Sequence, residues 1–185
     1  MFSFPISPSA KLILVTAHRR ENFGEPLKNI CLALRDLALH YGEKVQIVYP
    51  VHLNPNVQER ATQILMDIPN VELTDPLDYL QLAQLMNRAY MVLTDSGGIQ
   101  EEAPSLGVPV LVLRNKTERP EAIEAGTVKL VGTDKDKIIC EVENLLNNVD
   151  AYNKMAHAVN PYGDGHASER IVSALLGEPF QPWQP

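Results

Sequence analysis

Residues 90–106 read YMVLTDSGGIQEEAPSL. An apolar run (MVLT) passes through two glycines straight into a helix-forming stretch, which is the strand-to-helix joint of a parallel sheet. Gly97 and Gly98 leave the main chain uncovered where the helix begins. The free N–H groups and positive dipole end of that helix favour an anion there. Ser96 supplies a hydroxyl that either meets the anion or caps the helix. Glu102 lies about one turn in, where its carboxylate can accept hydrogen bonds from ribose hydroxyls, as an acidic residue does in dinucleotide-binding folds. The competing reading is a plain strand–helix turn with a serine cap.

The same rhythm extends in both directions. Strands are predicted at residues 11–16 (KLILVT), 45–49, 71–74, 90–94, 108–113 and 127–131. Helices are predicted at 26–40, 56–66, 78–88, 98–106, 120–125 and 134–147, with two more near 151–158 and 165–176. Leu27, Ile30, Leu34 and Leu37 show the helical spacing of a buried face, and Gly42 ends that helix. Six strands alternating with helices give an α/β fold, a doubly wound, parallel, six-stranded Rossmann-like sheet. Ligands of such sheets bind beyond the carboxyl ends of the strands, so chemistry is sought in the segments that follow each strand.

After the first strand comes AHRRENFG, residues 17–24. His18, Arg19 and Arg20 suit a diphosphate, because guanidinium groups give forked hydrogen bonds to phosphate and a protonated imidazole can donate to a leaving phosphate oxygen. The alternative is that His18 only ends the strand and Arg19 or Arg20 pairs with Glu21. After the second strand, His52 in YPVHLNPN can reach the same cleft or sit satisfied in a proline-fixed turn. After the fifth, Arg119 in RNKTERPE clamps an anion or holds a carboxylate, with Thr117 or Glu118 as cap of the short helix begun by Pro120. The bend at residues 75–79, with the helix carrying Leu82, forms an apolar slot for a base or simply a core helix capped by Asp78.

The 185 residues carry a formal charge of -7 with 45% hydrophobic and 21% charged residues. That is the balance of a globular domain and argues against non-specific binding to nucleic acid or anionic membrane. No apolar run is long enough to span a bilayer. Cys31 and Cys140 match no metal or redox spacing and read as buried, reduced thiols of a cytoplasmic protein. Residues 1–10, with Pro5 and Pro8, read as a flexible lead-in; 11–150 form the ligand-binding domain, 151–177 terminal helices and 178–185 a tail.

Five runs together resemble the bacterial non-hydrolysing UDP-N-acetylglucosamine 2-epimerases. They are VTAHRRENFGEPL (15–27), VYPVHLNPNV (48–57), LTDSGGIQEEAPSLGVPVLVLR (93–114), TERPEAIEAGTVKLVGTD (117–134) and NPYGDGHASERI (160–171). The resemblance implies the carboxyl-terminal half of a GT-B architecture, two Rossmann-like domains facing a cleft. It implies interconversion of UDP-GlcNAc and UDP-ManNAc by elimination and re-addition of UDP, with no metal or other cofactor, in the service of cell-surface polysaccharide synthesis. By the same resemblance His18 is the active-site histidine near the diphosphate, and Ser96, Gly97 and Gly98 are the phosphate loop. Glu102 is the ribose-binding carboxylate, Arg119 a ligand-site arginine, Leu82 a uracil contact, and His52 lies near the nucleotide-sugar sites.

The family's amino-terminal domain, which handles the C2 proton, has no counterpart before Lys11. The chain is therefore expected to bind UDP and UDP-N-acetylhexosamine but to be weak or silent alone. Helices 151–177 are expected to pack on that other domain, from a separate amino-terminal half, or to drive homo-oligomerisation. Two other readings stay open: a non-catalytic nucleotide-sugar module, and the donor domain of a GT-B glycosyltransferase.

Overall fold

A computed structural model describes residues 4–184. Six strands form one all-parallel sheet: β1 (Lys11–Thr16), β2 (Val45–Pro50), β3 (Val71–Thr74), β4 (Met91–Thr94), β5 (Val110–Val112) and β6 (Val128–Leu130). Their spatial order is β3-β2-β1-β4-β5-β6. The order reverses between β1 and β4, which are paired from Ile13 opposite Met91 to Thr16 opposite Thr94. The loops leaving these two strands diverge to opposite sides and open a crevice between them.

Alternate strand residues point to opposite faces, and each face is covered by helices. Ile13, Val15, Met91, Leu93 and Leu111 pack with α1 (Glu25–Tyr41), α2 (Pro55–Leu65) and α6 (Lys135–Asn147). Leu12, Leu14, Val92, Val110 and Val112 pack with α3 (Tyr79–Met86), α4 (Gly97–Ser105) and α5 (Pro120–Ala125). The predicted face of α1 is buried throughout, through Leu27, Ile30, Leu34 and Leu37. Gly42 ends α1 at φ 52°, in the left-handed region that side chains avoid.

Two expectations at the chain ends are corrected. The described part of the lead-in is anchored: Phe4 is buried in the second core, the Ser7 N–H donates to Gln46 Oε1 (2.9 Å), and Gln46 Nε2 donates to the Pro5 carbonyl (2.8 Å). One buried aromatic ring and two hydrogen bonds to Gln46 outweigh the proline- and serine-rich composition. Residues 1–3 of that lead-in and residue 185 of the tail lie outside the described residues. Of the two terminal helices, α7 (Val149–Ala156) does not wait for another domain. Tyr152 stacks on Tyr90 with ring centres 4.1 Å apart, and Ala151 and Met155 pack on the first core. The uncovered large apolar residues of the two helices are Val149 at the start of α7 and, on α8 (Ala167–Leu176), Ile171, Val172, Leu175 and Leu176.

Both cysteines are free thiols; Cys31 is buried on the inner face of α1 as expected, whereas Cys140, expected to be buried, is exposed on α6. Burial pushes the Cys31 thiol up to about 12, against a small opposing effect of Arg60. Because the thiolate is the reactive form, a disulfide-exchange reagent should titrate one thiol in the folded chain and two after denaturation. Rapid reaction of two thiols under native conditions would contradict the packing of α1.

Candidate functional site

The crevice at the β1–β4 reversal holds most of the residues singled out by the sequence. Asp95, the first residue after β4, is completely buried. Its Oδ2 accepts from the main-chain N–H groups of His18 (2.8 Å) and Arg19 (2.8 Å) and from Asn22 Nδ2 (2.9 Å). Asn22 also donates to the Leu113 carbonyl beyond β5 (3.1 Å). One carboxylate therefore fixes the loop after β1 against the turn after β4. The Arg19 side chain follows, with Nε donating to the Asp95 carbonyl (3.2 Å).

At residues 96–98 the cap reading fails, because no side-chain hydrogen bond caps α4. The Ser96 hydroxyl is free to meet a ligand, and the Ser96 N–H is taken by Thr94 Oγ1 (2.9 Å). Neither Gly97 nor Gly98 has a positive φ. A Cβ at Gly97 would lie 3.7 Å from Arg19 Nη2, and one at Gly98 would lie 3.5 Å from Glu102 Oε1, both ordinary contacts. The fold itself does not require glycine at either place. What glycine provides is open main chain at a helix start, bordered by the Arg19 guanidinium on one side and the Glu102 carboxylate on the other.

Beside this turn is a pocket of about 190 Å³ lined by Thr16, His18, Pro50, His52, Pro76, Leu77, Leu82, Ser96 and Ile99. It joins residues from the segments after β1, β2, β3 and β4. Its volume is below the roughly 300–1,000 Å³ of sites that enclose a ligand. Pro76, Leu77 and Leu82 supply the apolar slot expected for a base. Asp78 caps α3 in a reciprocal box with Gln81, as the second reading of that bend expected. The His18 and His52 rings stack at 5.4 Å with a 9° angle between planes. His52 Nδ1 accepts the Asn54 N–H (3.1 Å), which leaves the hydrogen of its neutral ring on Nε2.

The remaining basic residues divide. Arg20 is exposed on the same loop. Glu21 pairs with neither Arg19 nor Arg20, contrary to that alternative, but with the buried Arg114, which donates Nε to Glu21 (2.6 Å) and both terminal nitrogens to Glu118 (2.9 and 3.0 Å). Arg119 ion-pairs with Glu101 on α4 and donates to the Glu118 carbonyl (3.2 Å). It thus holds a carboxylate, the second of its two expected roles, and it lies outside the small pocket. Neither Thr117 nor Glu118 caps α5, whose first residue follows Arg119 without a side-chain cap. Thr117 Oγ1 instead accepts the Arg119 N–H (3.1 Å) and donates to Gln100 Oε1 (2.8 Å).

Sequence reasoning missed Asp95, Asn22, Gln100 and Arg114, the polar residues that hold the loops together. Buried Gln100 donates to the Ser96 carbonyl (3.0 Å) and so ties the glycine turn to the loop after β5. The available signal was a carboxylate ending an apolar strand (Asp95) and an arginine doing the same (Arg114), each placed where burial demands a partner. Among the described residues no group of three or more His, Cys, Asp or Glu is arranged to hold a metal, and no helix is long and apolar enough to cross a membrane.

A family model described as UDP-N-acetylglucosamine 2-epimerase matches residues 4–176. The UDP-N-acetylglucosamine 2-epimerase of Escherichia coli strain K12 is 59% identical over 170 residues, 92% of this chain and 45% of that protein. The crystal structure of UDP-GlcNAc 2-epimerase from Neisseria meningitidis bound to UDP-GlcNAc matches with a TM-score of 0.87 at 51% identity, covering 94% of this chain and 46% of that one. The C-terminal domain of a glycosyl transferase group 1 family protein from Francisella tularensis shares the fold alone, with a TM-score of 0.62 at 13% identity over 91% of this chain and 86% of that domain. The chain spans about half the length of the curated relatives it matches.

The arginine clamp beside the crevice sets a pH dependence. Hydrogen bonding to Arg114, then its charge, lowers the Glu118 carboxyl to about 2. A lowered carboxyl stabilises the fold above the ordinary glutamate range, and that contribution disappears as pH falls through about 2. Glu118→Gln should therefore lower the urea midpoint at neutral pH, with the gap to wild type closing as the pH approaches 2. A gap that persists unchanged into acid would show that Glu118 acts through something other than its charge.

Proposed function

We propose, for a chain that belongs to the UDP-N-acetylglucosamine 2-epimerase family, that it forms the UDP-binding half of an enzyme interconverting UDP-GlcNAc and UDP-ManNAc. In that reaction a base removes the C2 proton, the C1–O bond to UDP breaks, and a 2-acetamidoglucal and UDP result. Re-addition of UDP at C1 with protonation of the opposite face of C2 gives the epimer. The Ser96 hydroxyl, the free N–H groups at Gly97 and Gly98 and the Arg19 guanidinium receive the diphosphate. His18 donates the proton that the departing phosphate oxygen takes up. Glu102 accepts from the ribose hydroxyls, and Pro76, Leu77 and Leu82 hold the uracil. His52 stacks against His18 at the sugar-facing side, with exposed Arg20 drawing the anionic nucleotide to the loop. Arg119 acts by holding Glu101 on the helix that carries the turn.

The observation that carries this reading is the pair of glycines that the fold does not need, set between the Arg19 guanidinium and the Glu102 carboxylate. The groups that handle the C2 proton are proposed to come from a complementary domain. The small volume of the pocket, about 190 Å³, supports that division. So does the bare face of α8, where Ile171 is 59% and Leu175 81% exposed. This face is proposed to meet that domain or a second copy of the chain. The two free thiols accord with a cytoplasmic setting.

Calorimetry should show UDP binding to the chain. Gly97→Ala should fold with unchanged stability, or a gain of up to about 1 kcal/mol, yet bind UDP at least tenfold more weakly, because the methyl fills the space for phosphate. Loss of a charge-assisted hydrogen bond, about 1.5–3 kcal/mol, predicts a loss of roughly 10- to 150-fold for Arg19→Ala. Equal affinity in wild type and Gly97→Ala would remove the turn from the site. Binding without turnover when a complementary amino-terminal half is supplied would favour the non-catalytic module. Light scattering should show concentration-dependent association through α8; a monomer at every concentration would count against it.

A further inference from the structure

Asp95 has a second oxygen. While Oδ2 takes three donors, Oδ1 is buried and has no hydrogen-bond partner. It faces His18 Nδ1 at 3.6 Å, beyond hydrogen-bond length. The carboxylate cannot move toward the ring, because its other oxygen is pinned by two main-chain N–H groups and Asn22. The imidazole can move, with its side chain 40% exposed. A shift that brings Nδ1 to about 2.8 Å would complete the bond.

We propose that Asp95 is the positioning residue for His18: its free oxygen takes the Nδ1 hydrogen, fixes the ring, and leaves Nε2 as the nitrogen that exchanges a proton with the ligand's phosphate oxygen. This rests on the proposed role of His18 and adds the group that directs it. A ring held through Nδ1 has its other nitrogen on the side away from Asp95, and it works without searching for its orientation. The neighbouring His52 has the opposite arrangement, since its Nδ1 accepts from the Asn54 N–H. Two parallel imidazoles thus carry opposite tautomers, and each reports independently on its own partner.

The tautomers can be read directly from long-range ¹⁵N–¹H correlations on chain labelled in its histidine rings, with the rings neutral and no nucleotide present. His18 should carry hydrogen on Nδ1 and His52 on Nε2. In Asp95→Asn the amide that replaces Oδ1 donates instead of accepting, so His18 should switch to the Nε2 form while His52 stays as it was. Should that variant fold poorly, the wild-type spectrum still decides: a His18 ring protonated on Nε2 overturns the proposal. Added UDP should shift the His18 Nε2 signal and leave the Nδ1 hydrogen in place. UDP binding that leaves Nε2 unmoved would overturn the positioning role while the nucleotide site stands, whereas absence of UDP binding with the expected tautomers would remove the nucleotide reading and leave the Asp95–His18 pairing.

Discussion

The buried carboxylate of Asp95 is the constraint on which the crevice depends. A charge removed from water is tolerated only when hydrogen bonds replace its hydration. Here the replacements come from the loop after β1, so the demand of one buried group dictates the path of eight residues of irregular chain. That path brings a histidine and an arginine next to an open helix start. Without it the loop after β1 would have no sequence-local reason to lie against the turn after β4, since it contains neither a proline nor a regular helix of its own beyond the short 3-10 turn Arg20–Asn22.

Around that anchor the other loops are fastened by a small set of buried polar side chains. Gln100 joins the glycine turn to Thr117, and Arg114 joins Glu21 to Glu118. The segments after β1, β4 and β5 therefore behave as one body although they are far apart in sequence. The sheet supplies the reason they are neighbours at all: the order β3-β2-β1-β4-β5-β6 puts β1 and β4 side by side and sends their crossovers to opposite faces.

Much of this could be read from the chain. The short apolar runs and the helical spacing located the six strands and eight α-helices of the described residues to within two residues, while the 3-10 turns Arg20–Asn22 and Gly42–Lys44 went unseen; the clearest case is α1, where Leu27, Ile30, Leu34 and Leu37 are buried as their spacing demands. His18, His52, Leu82 and Ser96 met in one pocket because all follow strands of one parallel sheet. The residues that escaped notice act across the sequence. Asp95 and Asn22 are 73 positions apart and Glu21 and Arg114 are 93 apart. Pattern reading sees which side chains are buried, not which distant partner makes burial tolerable. The same limit explains the lead-in, where Ser7 and Gln46, 39 positions apart, meet only in three dimensions.

The glycine turn and the guanidinium of Arg19 are both supported from within a single sheet. Their conformational entropy is surrendered during folding rather than when a ligand arrives. On the proposed reading, a nucleotide would therefore meet a main chain already in place at this turn, with only the His18 ring left to settle.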